Sequence, residues 1–427
     1  MRRSKWFSLL ALLFALSLFT AACADDGGGD TTGENGGGDA QAACDEDEFG
    51  CVEIAEGSPL TLGTLLVITG ENASLGLDSQ AGVELAADYY ADQSFDGSPG
   101  EVLGHTIEFD HQDDGCSPEG GTTGARALSS NESIVAVIGT SCSSAGEPAS
   151  QILSDAGIVL ISPSNTAPSL TDPETHQPFY FRTAHNDKIQ GSAMAQFVAE
   201  ELGHTTAATV HDGSPYAEQL QQVFADTFSG EYGGEITSQE AVQVGQKDMT
   251  PVLTNIASGS PEFLYFPVFV AEGGLLTAQA RETSGLENTD LGGADGMLTP
   301  DWIDAAGAEN AEGAYLSGPD LEFSGDFYDA EFLPAYEETV GSEPTSVFHA
   351  HAFDATNMVL QAIEEVAIQE GGTTYIPRTA LRDALVGATH DGITGALECD
   401  ENGDCNQDAT ISVSVVENGK FKRIWPE

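Results

Sequence analysis

Two short apolar runs in the middle of the chain each end in a row of hydroxyl and amide groups. Residues 134–138 lead through Gly139 into Thr140-Ser-Cys-Ser-Ser144, and residues 158–161 lead into Ser162-Pro-Ser-Asn-Thr166. Both runs are short and rich in β-branched residues, which predicts buried strands. A helical pattern separates them, so we expect a right-handed βαβ unit whose two strand ends lie side by side. Open α/β sheets bind their ligands at that edge.

The helix between the two runs could hold an anion at its start. We predict Ser143 or Ser144 as its N-cap, with Glu147 in the first turn. The unpaired N–H groups and the positive dipole end of a helix N-terminus suit a carboxylate. The same serines could instead only satisfy the backbone of an ordinary crossover, and the local sequence leaves both interpretations open.

The short motifs that most often mark a catalytic site are absent from the sequence. There is no H-E-x-x-H, G-x-x-x-x-G-K-[ST] or G-x-G-x-x-G, and the segment closest to G-x-S-x-G, residues 139–143, lacks the second glycine. We therefore expect a protein that is not an enzyme and that needs no cofactor. A hydrolase that uses Ser143 as its nucleophile is the alternative.

Residues 400–408 alternate acidic and amide side chains as a calcium-binding loop does. However, Gly403 comes too early for the glycine of such a loop, and Ile411 stands where the loop needs a bidentate glutamate. We predict a disulfide-closed hairpin tip between strands 393–397 and 411–416, and no metal site.

The composition describes a folded, very acidic protein. The 427 residues, 40% of them hydrophobic, suffice for two lobes with their own cores. Thirteen basic residues face 69 acidic ones, for a net charge of −56, which disfavours nucleic acid and anionic membrane surfaces as partners. We interpret the charge as an acidic surface that keeps the protein soluble in concentrated salt, where screening limits self-repulsion. Asp113 and Asp114 are accordingly expected in a solvated loop.

The N-terminus has the pattern of an export signal. Three basic residues precede an apolar run and then Thr20-Ala-Ala-Cys23. This predicts a signal peptide over residues 1–22 and a lipid on Cys23 that anchors an extracytoplasmic protein to the cell membrane. Thr20 is unusual before such a cysteine, which leaves ordinary secretion as the alternative. Residues 23–58 are rich in Gly, Asp and Glu, and we predict a flexible acidic tether.

Strand and helix patterns alternate from residue 59 onward, and the alternation restarts after residue 182. This predicts an α/β fold of two lobes, each a doubly wound parallel sheet, joined by a hinge and facing a cleft. We assign residues 59–183 and 319–390 to lobe 1, and residues 184–318 and 391–427 to lobe 2.

Six cysteines remain once Cys23 is assigned to the lipid. Six cysteines permit 15 pairings, so spacing alone leaves the connectivity open. They fall into near pairs, which are Cys44 with Cys51, Cys116 with Cys142, and Cys399 with Cys405. Such pairs suit an oxidising compartment.

Several short motifs from residue 137 to residue 171 occur in an order and spacing that resemble one family. They are Val137-Ile-Gly139, Cys142-Ser-Ser144, Glu147-Pro-Ala-Ser150, Gly157-Ile158, Ile161-Ser-Pro163 and Pro168-x-Leu170-Thr171. Together they resemble the periplasmic binding proteins for leucine, isoleucine and valine, which have the type I periplasmic-binding fold. The resemblance covers nearly all of residues 60–421, and it implies a disulfide between Cys116 and Cys142.

The resemblance implies how an amino acid would be held at its carboxylate. Ser143 and the adjacent helix N-terminus would bind the carboxylate, aided by the backbone near Ser164 and Asn165. The hydroxyl of Thr166 would bridge carboxylate and ammonium, because one O–H can both donate and accept.

The other ligand contacts implied by the resemblance come mainly from lobe 2. Asp295 would neutralise the ammonium, Tyr216 would cover the ligand, and Leu75 and Phe269 would line the side-chain pocket. Asp295 is one methylene shorter than the glutamate most familiar at that place, and Leu75 is aliphatic where an aromatic residue can occur.

These expectations combine into a receptor of an ABC importer that binds a branched-chain or related amino acid between two lobes. We expect a monomer whose partners are the ligand and the permease in the membrane, with no nucleic acid and no membrane contact beyond the lipid. The alternatives are a ligand-sensing module that reports to a membrane signalling partner, and a binder of urea or short amides on the same fold.

Overall fold

The computed structural model of the protein describes residues 38–95, 97–323 and 325–426. The predicted signal peptide, Cys23 and the first part of the predicted tether lie outside the described residues. Among the described helices, none combines the length and the hydropathy that crossing a bilayer requires.

Strands and helices alternate along most of the chain. The strands are β1 (Cys51–Ala55), β2 (Leu60–Leu66), β3 (Glu101–Val102), β4 (His105–Asp113), β5 (Ile134–Gly139), β6 (Val159–Ser162), β7 (Tyr180–Arg182), β8 (Thr206–His211), β9 (Glu235–Ala241), β10 (Phe263–Tyr265), β11 (Asp290–Gly293), β12 (Tyr315–Pro319), β13 (Ile368–Glu370), β14 (Thr373–Pro377), β15 (Thr389–Gly392), β16 (Gly395–Glu398), β17 (Ile411–Glu417) and β18 (Lys420–Trp425). The helices are α1 (Asp39–Glu46), α2 (Ala73–Tyr90), α3 (Pro118–Ser129), α4 (Ser143–Asp155), α5 (Asp187–Gln196), α6 (Pro215–Gly230), α7 (Thr250–Ser258), α8 (Val270–Glu282), α9 (Pro300–Ala306), α10 (Ala308–Ala311), α11 (Leu333–Val340), α12 (His349–Val366) and α13 (Arg378–Leu385). Short 3₁₀ turns at Pro168–Leu170 and Asp295–Met297 and π-helical turns at Phe197–Glu201 and Tyr328–Phe332 complete them.

The first lobe is built on a six-stranded sheet in the order β3-β4-β2-β5-β6-β7. Its strands run parallel from β4 to β7, and the short β3 is antiparallel at the edge. All six residues of β5 are buried, as expected for a central strand covered by helices on both faces. The order places the switch point of the sheet between β2 and β5, which is where ligands bind in doubly wound folds.

The second lobe repeats this arrangement on a seven-stranded sheet in the order β18-β17-β12-β11-β10-β8-β9. Strands β9, β8, β10, β11 and β12 are parallel, and β17 and β18 extend the sheet in antiparallel fashion. The switch point lies between β8 and β10. The predicted fold, two doubly wound α/β lobes, is confirmed.

The predicted start of the last lobe 2 segment, residue 391, is wrong. Leu397, Cys399 and Cys405 pack in the same core as β5 and β7 of lobe 1, and Arg182 exchanges backbone hydrogen bonds with Gly403 and Cys405. Strand β15 pairs with β16, whereas β17 pairs with β12 and β18. The hairpin predicted between 393–397 and 411–416 therefore does not form, and the chain returns to lobe 2 only at β17.

The predicted flexible tether is also wrong where the structure describes it. Residues 39–46 form α1, and β1 pairs antiparallel with β14 over five residues. Asp47 accepts hydrogen bonds from Thr379 at the start of α13, including one of 2.8 Å from its backbone N–H. We call residues 39–55 the strap, because they bind this part of the chain to lobe 1.

The structure contains all three predicted disulfides, which are Cys44–Cys51, Cys116–Cys142 and Cys399–Cys405. Cys44–Cys51 closes the strap, and Cys399–Cys405 closes the loop that packs on lobe 1. Cys116–Cys142 joins the loops after β4 and β5, directly beside the start of α4.

Candidate functional site

The two lobes meet at the carboxyl ends of their sheets. Backbone N–H of Ser169 in lobe 1 donates to Oε1 of Gln219 on α6, and Nε2 of Gln219 donates to Oγ of Ser169, both at 2.9 Å. Ser74 and Thr299 approach to 3.5 Å between their hydroxyl oxygens. The lobes are therefore in contact, and the cleft is closed.

A small cavity lies between the lobes and brings together three of the predicted ligand residues. Leu75 from α2 faces Phe269 and Asp295 from the second lobe across it. Its volume is about 10 Å³, which is room for a single water molecule. Tyr216 adjoins the same group, with its ring centroid 5.1 Å from that of Phe269. Of the predicted residues, Ser143, Ser164, Asn165 and Thr166 are not among the described residues that line this cavity.

The start of α4 is held by the buried carboxyl of Asp114, which was not among the predicted ligand residues. Asp114 accepts hydrogen bonds from the backbone N–H of Cys116 and of Ser141, both at 2.7 Å. The expectation that Asp114 is solvated is wrong, since it is fully buried. Burial raises the pKa of Asp114 to about 7, against the lowering effect of its backbone hydrogen bonds.

The helix itself starts one residue earlier than predicted. Cys142 occupies the N-cap position, so Ser143 is the first helical residue and not the cap. The Ser143 hydroxyl accepts a hydrogen bond of 3.3 Å from the backbone N–H of Ala167. This contact joins the helix start to the loop that follows β6.

The loop after β6 is a rigid support, which limits what Ser164 and Asn165 can offer a ligand. The backbone N–H groups of both residues donate to Oγ of Ser162, at 3.2 and 2.9 Å. The Asn165 side chain donates to the carbonyl of Thr140 and accepts from its hydroxyl. Ser164 donates its hydroxyl to the carbonyl of Ser141 at 2.9 Å. These groups position the two loops against each other, so the backbone donors predicted there are already in use.

Thr166 is different, because its buried hydroxyl has no hydrogen bond. Its carbonyl accepts from the backbone N–H of Asp187 at 3.0 Å. The hydroxyl lies near enough to the Asp187 carboxyl to lower its pKa. The Thr166 hydroxyl therefore lies on the side that faces the segment after β7.

Asp295 is buried among polar partners from its own lobe. Its Oδ1 accepts hydrogen bonds from Nε2 of Gln190 at 2.8 Å and from the hydroxyl of Tyr216 at 3.0 Å. Burial raises the pKa of Asp295, while the neighbouring His185 and these two hydrogen bonds lower it. A positive charge beside this carboxylate would offset the free-energy cost of burying its negative charge.

The sequence interpretation missed the segment directly after β7, which contributes His185, Asp187 and Gln190. The ligating atoms of His185, Asp187 and Asp295 all lie within 4.8 Å of one another, and all three residues are buried. A signal was present, since polar residues follow this strand as they follow β5 and β6. Three such atoms at this spacing can share one positively charged group.

A buried ion pair holds the crossing between the lobes. The guanidinium of Arg182 donates to Oδ2 of Asp404 at 2.8 Å and to Oγ1 of Thr171 at 2.7 Å. Asp404 belongs to the loop that the sequence likened to a calcium site, and Oδ1 of Asp400 accepts from the backbone of Asn402 and Asp404. The disulfide predicted for this loop, Cys399–Cys405, is present, but the loop is not the hairpin tip that was predicted.

The sequence and the fold match known proteins over most of the chain. The profile of the family described as "Periplasmic binding protein" matches residues 59–420. A leucine-, isoleucine-, valine-, threonine- and alanine-binding protein of Pseudomonas aeruginosa is 28% identical over 345 residues, which are 81% of this chain and 87% of that protein.

Solved structures show the same architecture. A leucine binding protein from Thermotoga maritima is 24% identical with a TM-score of 0.74, over 86% of this chain and 97% of that one. A branched-chain amino acid transporter substrate binding protein from Streptococcus pneumoniae, in complex with isoleucine, is 25% identical with a TM-score of 0.71, over 86% of this chain and 100% of that one. The predicted resemblance is confirmed: the chain belongs to the periplasmic binding protein family, has its type I fold, and is a binding protein and not an enzyme.

Proposed function

We propose that the protein is the extracytoplasmic receptor of an ABC importer and binds a branched-chain or related amino acid between its two lobes. The observation that carries the proposal is the buried pair of Asp295 and Tyr216 in lobe 2, with Asp295 on the small cavity that Leu75 of lobe 1 also lines. The named specificity of the relatives from Pseudomonas aeruginosa and Streptococcus pneumoniae supports an amino acid as ligand.

The carboxylate of the ligand would bind at the start of α4. The first turn of a helix has N–H groups without backbone partners, and its dipole favours a negative charge. The disulfide Cys116–Cys142 and the buried Asp114 hold this turn in place. Ser143 adds a hydroxyl there that can donate to the carboxylate.

The ammonium would bind Asp295, with Thr166 reaching it from the opposite lobe. A charge pair out of contact with water is strong only when the remaining hydrogen bonds of its members are satisfied. Gln190 and Tyr216 already satisfy Oδ1 of Asp295. An aliphatic side chain would then lie against Leu75 and Phe269, which face each other across the cavity.

Ligand entry requires the lobes to part. The cavity of about 10 Å³ is far smaller than an amino acid, so the ligand must enter an open form that closes upon it. Because the ligand contacts both lobes, it would favour the closed form by its differential affinity. The permease would recognise that closed shape.

We further propose that lipid on Cys23 anchors a monomer to the outer face of the cell membrane. The proposal rests on the small residues before Cys23 and on the basic and apolar segment that precedes them. Mass spectrometry of the protein from its own cells tests it. A mature N-terminus other than a lipidated Cys23 would contradict it.

A thermal-shift screen over amino acids, urea and short amides, in concentrated salt, tests the ligand. A ligand at 100 times its Kd should add about 2.7 kcal/mol to the free energy of unfolding. We expect leucine, isoleucine or valine to raise the melting temperature. If urea or the amides raise the melting temperature and the amino acids do not, the proposed ligand class is wrong. If none of these compounds raises the melting temperature, the proposed function fails.

A further inference from the structure

A second and much larger cavity lies in lobe 1, away from the cleft. Its volume is about 980 Å³, which is at the upper end of the range for pockets that enclose an organic ligand. Leu75, in the first turn of α2, lines the small cavity between the lobes, whereas Tyr90, the last residue of α2, lines this one. At about 1.5 Å of helix per residue, the two residues are about 22 Å apart. The large cavity is therefore separate from the site between the lobes.

Four parts of lobe 1 enclose the cavity. One face of α12 forms one side, because Phe353, Asn357, Gln361 and Glu364 follow each other at intervals of three or four residues. The C-terminal end of α2, the turn between β3 and β4, and β15 form other sides. The segment that crosses from β12 in lobe 2 to α11 in lobe 1 completes the enclosure.

Aromatic side chains are concentrated in this lining. Six of its 21 described residues are aromatic, against 8% of the chain. The ring centroid of Tyr89 lies 5.2 Å from that of Phe327 and 5.6 Å from that of Phe353. The Tyr328 hydroxyl forms a hydrogen bond of 2.8 Å with Nε2 of His349, which holds that ring in place. The negative faces of such rings attract cations.

The charged side chains of the lining share one sign. No lysine or arginine is among the described lining residues, and the acidic ones are Glu101, Asp354, Glu364 and Asp391. Asp354 is buried and accepts backbone hydrogen bonds from the loop after β15, so the other three carry the charge that a ligand could meet. The Tyr90 hydroxyl donates to Oε2 of Glu364 at 2.9 Å, which places a carboxylate at the edge of an aromatic ring.

This combination of rings and carboxylates determines which occupant fits. An anion would meet carboxylates without a compensating cation. A neutral apolar molecule would remove water from the carboxylates and give them no partner in exchange. A metal ion needs several ligating atoms close together, and within the described parts of the chain the group that meets this condition is His185, Asp187 and Asp295, outside this cavity. An organic cation with an apolar surface matches both the rings and the charge.

We propose that this cavity is a second ligand site, which binds a quaternary ammonium compound. The rings of Tyr89 and Phe327 would contact the alkyl groups around the cationic nitrogen, and Glu364 would supply the opposite charge. A quaternary nitrogen has no N–H, so it requires no hydrogen-bond acceptor from the lining, and recognition of such ions by aromatic side chains is well established in other proteins. The site is additional to the proposed amino acid site and does not depend on it.

Titration with choline and with 3,3-dimethyl-1-butanol, followed by saturation-transfer difference NMR, tests the proposal on the unaltered protein. The two compounds have the same shape, but only choline is charged. We expect choline to bind, and the neutral compound to bind about 10-fold more weakly or not at all. The amino acid that scores in the thermal screen should not displace choline, because the two sites are at opposite ends of α2.

Two adjacent glutamates on α12 provide matched variants. Glu364 lines the cavity, whereas Glu365 is not among the described lining residues, and both side chains are exposed. Glu364→Gln should weaken choline binding about 2-fold to 5-fold, and Glu365→Gln should leave it unchanged. Phe327→Leu, which keeps an apolar side chain but removes the ring, should weaken choline binding by a similar factor.

Three results would overturn the proposal. If choline does not bind, or binds no better than the neutral compound, the cavity does not select a cation, and this result needs no variant to fold. If Glu364→Gln and Glu365→Gln weaken choline equally, choline responds to the acidic surface as a whole. If the amino acid displaces choline, choline occupies the cleft between the lobes.

Discussion

Replacing Asp295 with asparagine removes the charge that we assign to the ligand's ammonium and keeps the size of the side chain. In the variant, the amide carbonyl can still accept from Gln190 and Tyr216, at the positions now 2.8 and 3.0 Å from Oδ1. The amide N–H₂ then points where the second carboxylate oxygen was. A donor would face the donors of the ammonium, and the buried cation would have lost a partner.

The size of the effect follows from the burial of the pair. Removing one member of a buried ion pair costs about 3–5 kcal/mol. Because asparagine is a neutral isostere and Asp187 remains nearby, we take the lower end, about 3 kcal/mol, which is about a 100-fold increase in Kd. Burial already raises the pKa of Asp295, so the charge is unfavourable in the absence of ligand, and the variant should fold at least as stably.

Isothermal titration with the amino acid that scores in the thermal screen measures the Kd, and thermal unfolding without ligand measures stability. Asp304→Asn is the matched control for the change in charge. An unchanged Kd in Asp295→Asn would refute the role of Asp295. A large loss of stability without ligand would show instead that the carboxylate serves the fold.

Three further outcomes follow from the same contacts. Amino acid affinity should fall as pH drops through the raised pKa of Asp295, by about tenfold per pH unit below that pKa, because a protonated carboxyl cannot pair with the ammonium; titrations from neutral pH down to the lowest pH at which the protein stays folded measure it, and a profile that is flat over that whole range contradicts it. The pKa of Asp114 is about 7 in the folded protein against an ordinary 3.8, so its contribution to stability is complete below the ordinary value and is lost as pH rises through 7. Urea unfolding from pH 4 to 8 should show the free energy of unfolding of the unaltered protein falling relative to that of Asp114→Asn as pH rises to about 7, with a constant difference above that pH. Gln219→Ala removes two hydrogen bonds between the lobes and should raise the Kd about 3-fold to 10-fold, whereas Gln222→Ala on the same helix should not; equal effects of the two variants would show that the contact does not stabilise closure.

Local patterns along the chain were enough to predict the two lobes, and they singled out three residues that the structure brings together. The alternation of strand and helix periods is a short-range property, so the two doubly wound sheets could be predicted from the local sequence pattern. Leu75, Phe269 and Asp295 follow strands that end on the same edge of their sheets, and the structure brings them together around one cavity. Topology alone explains why residues so distant in sequence meet.

Features that depend on pairing between distant parts of the chain could not be predicted from the sequence. The strap is too polar to form a core of its own, and it is ordered because β1 pairs with β14, more than 300 residues away. Asp114 resembles any acidic loop residue until Ser141 is brought against it. His185 and Asp187 belong to a short connection whose burial is set by both lobes at once.

The strap determines how force would enter the molecule. A pull on the chain ahead of residue 39 acts first on α1, and the disulfide Cys44–Cys51 transmits it to β1, whose five ladder pairs with β14 resist it. The load therefore passes into the lobe that contains α4. The other lobe, whose covalent connections to it within the described residues are three crossings of the chain, does not bear this load directly, so closure would be a movement of that lobe toward the lobe that contains α4.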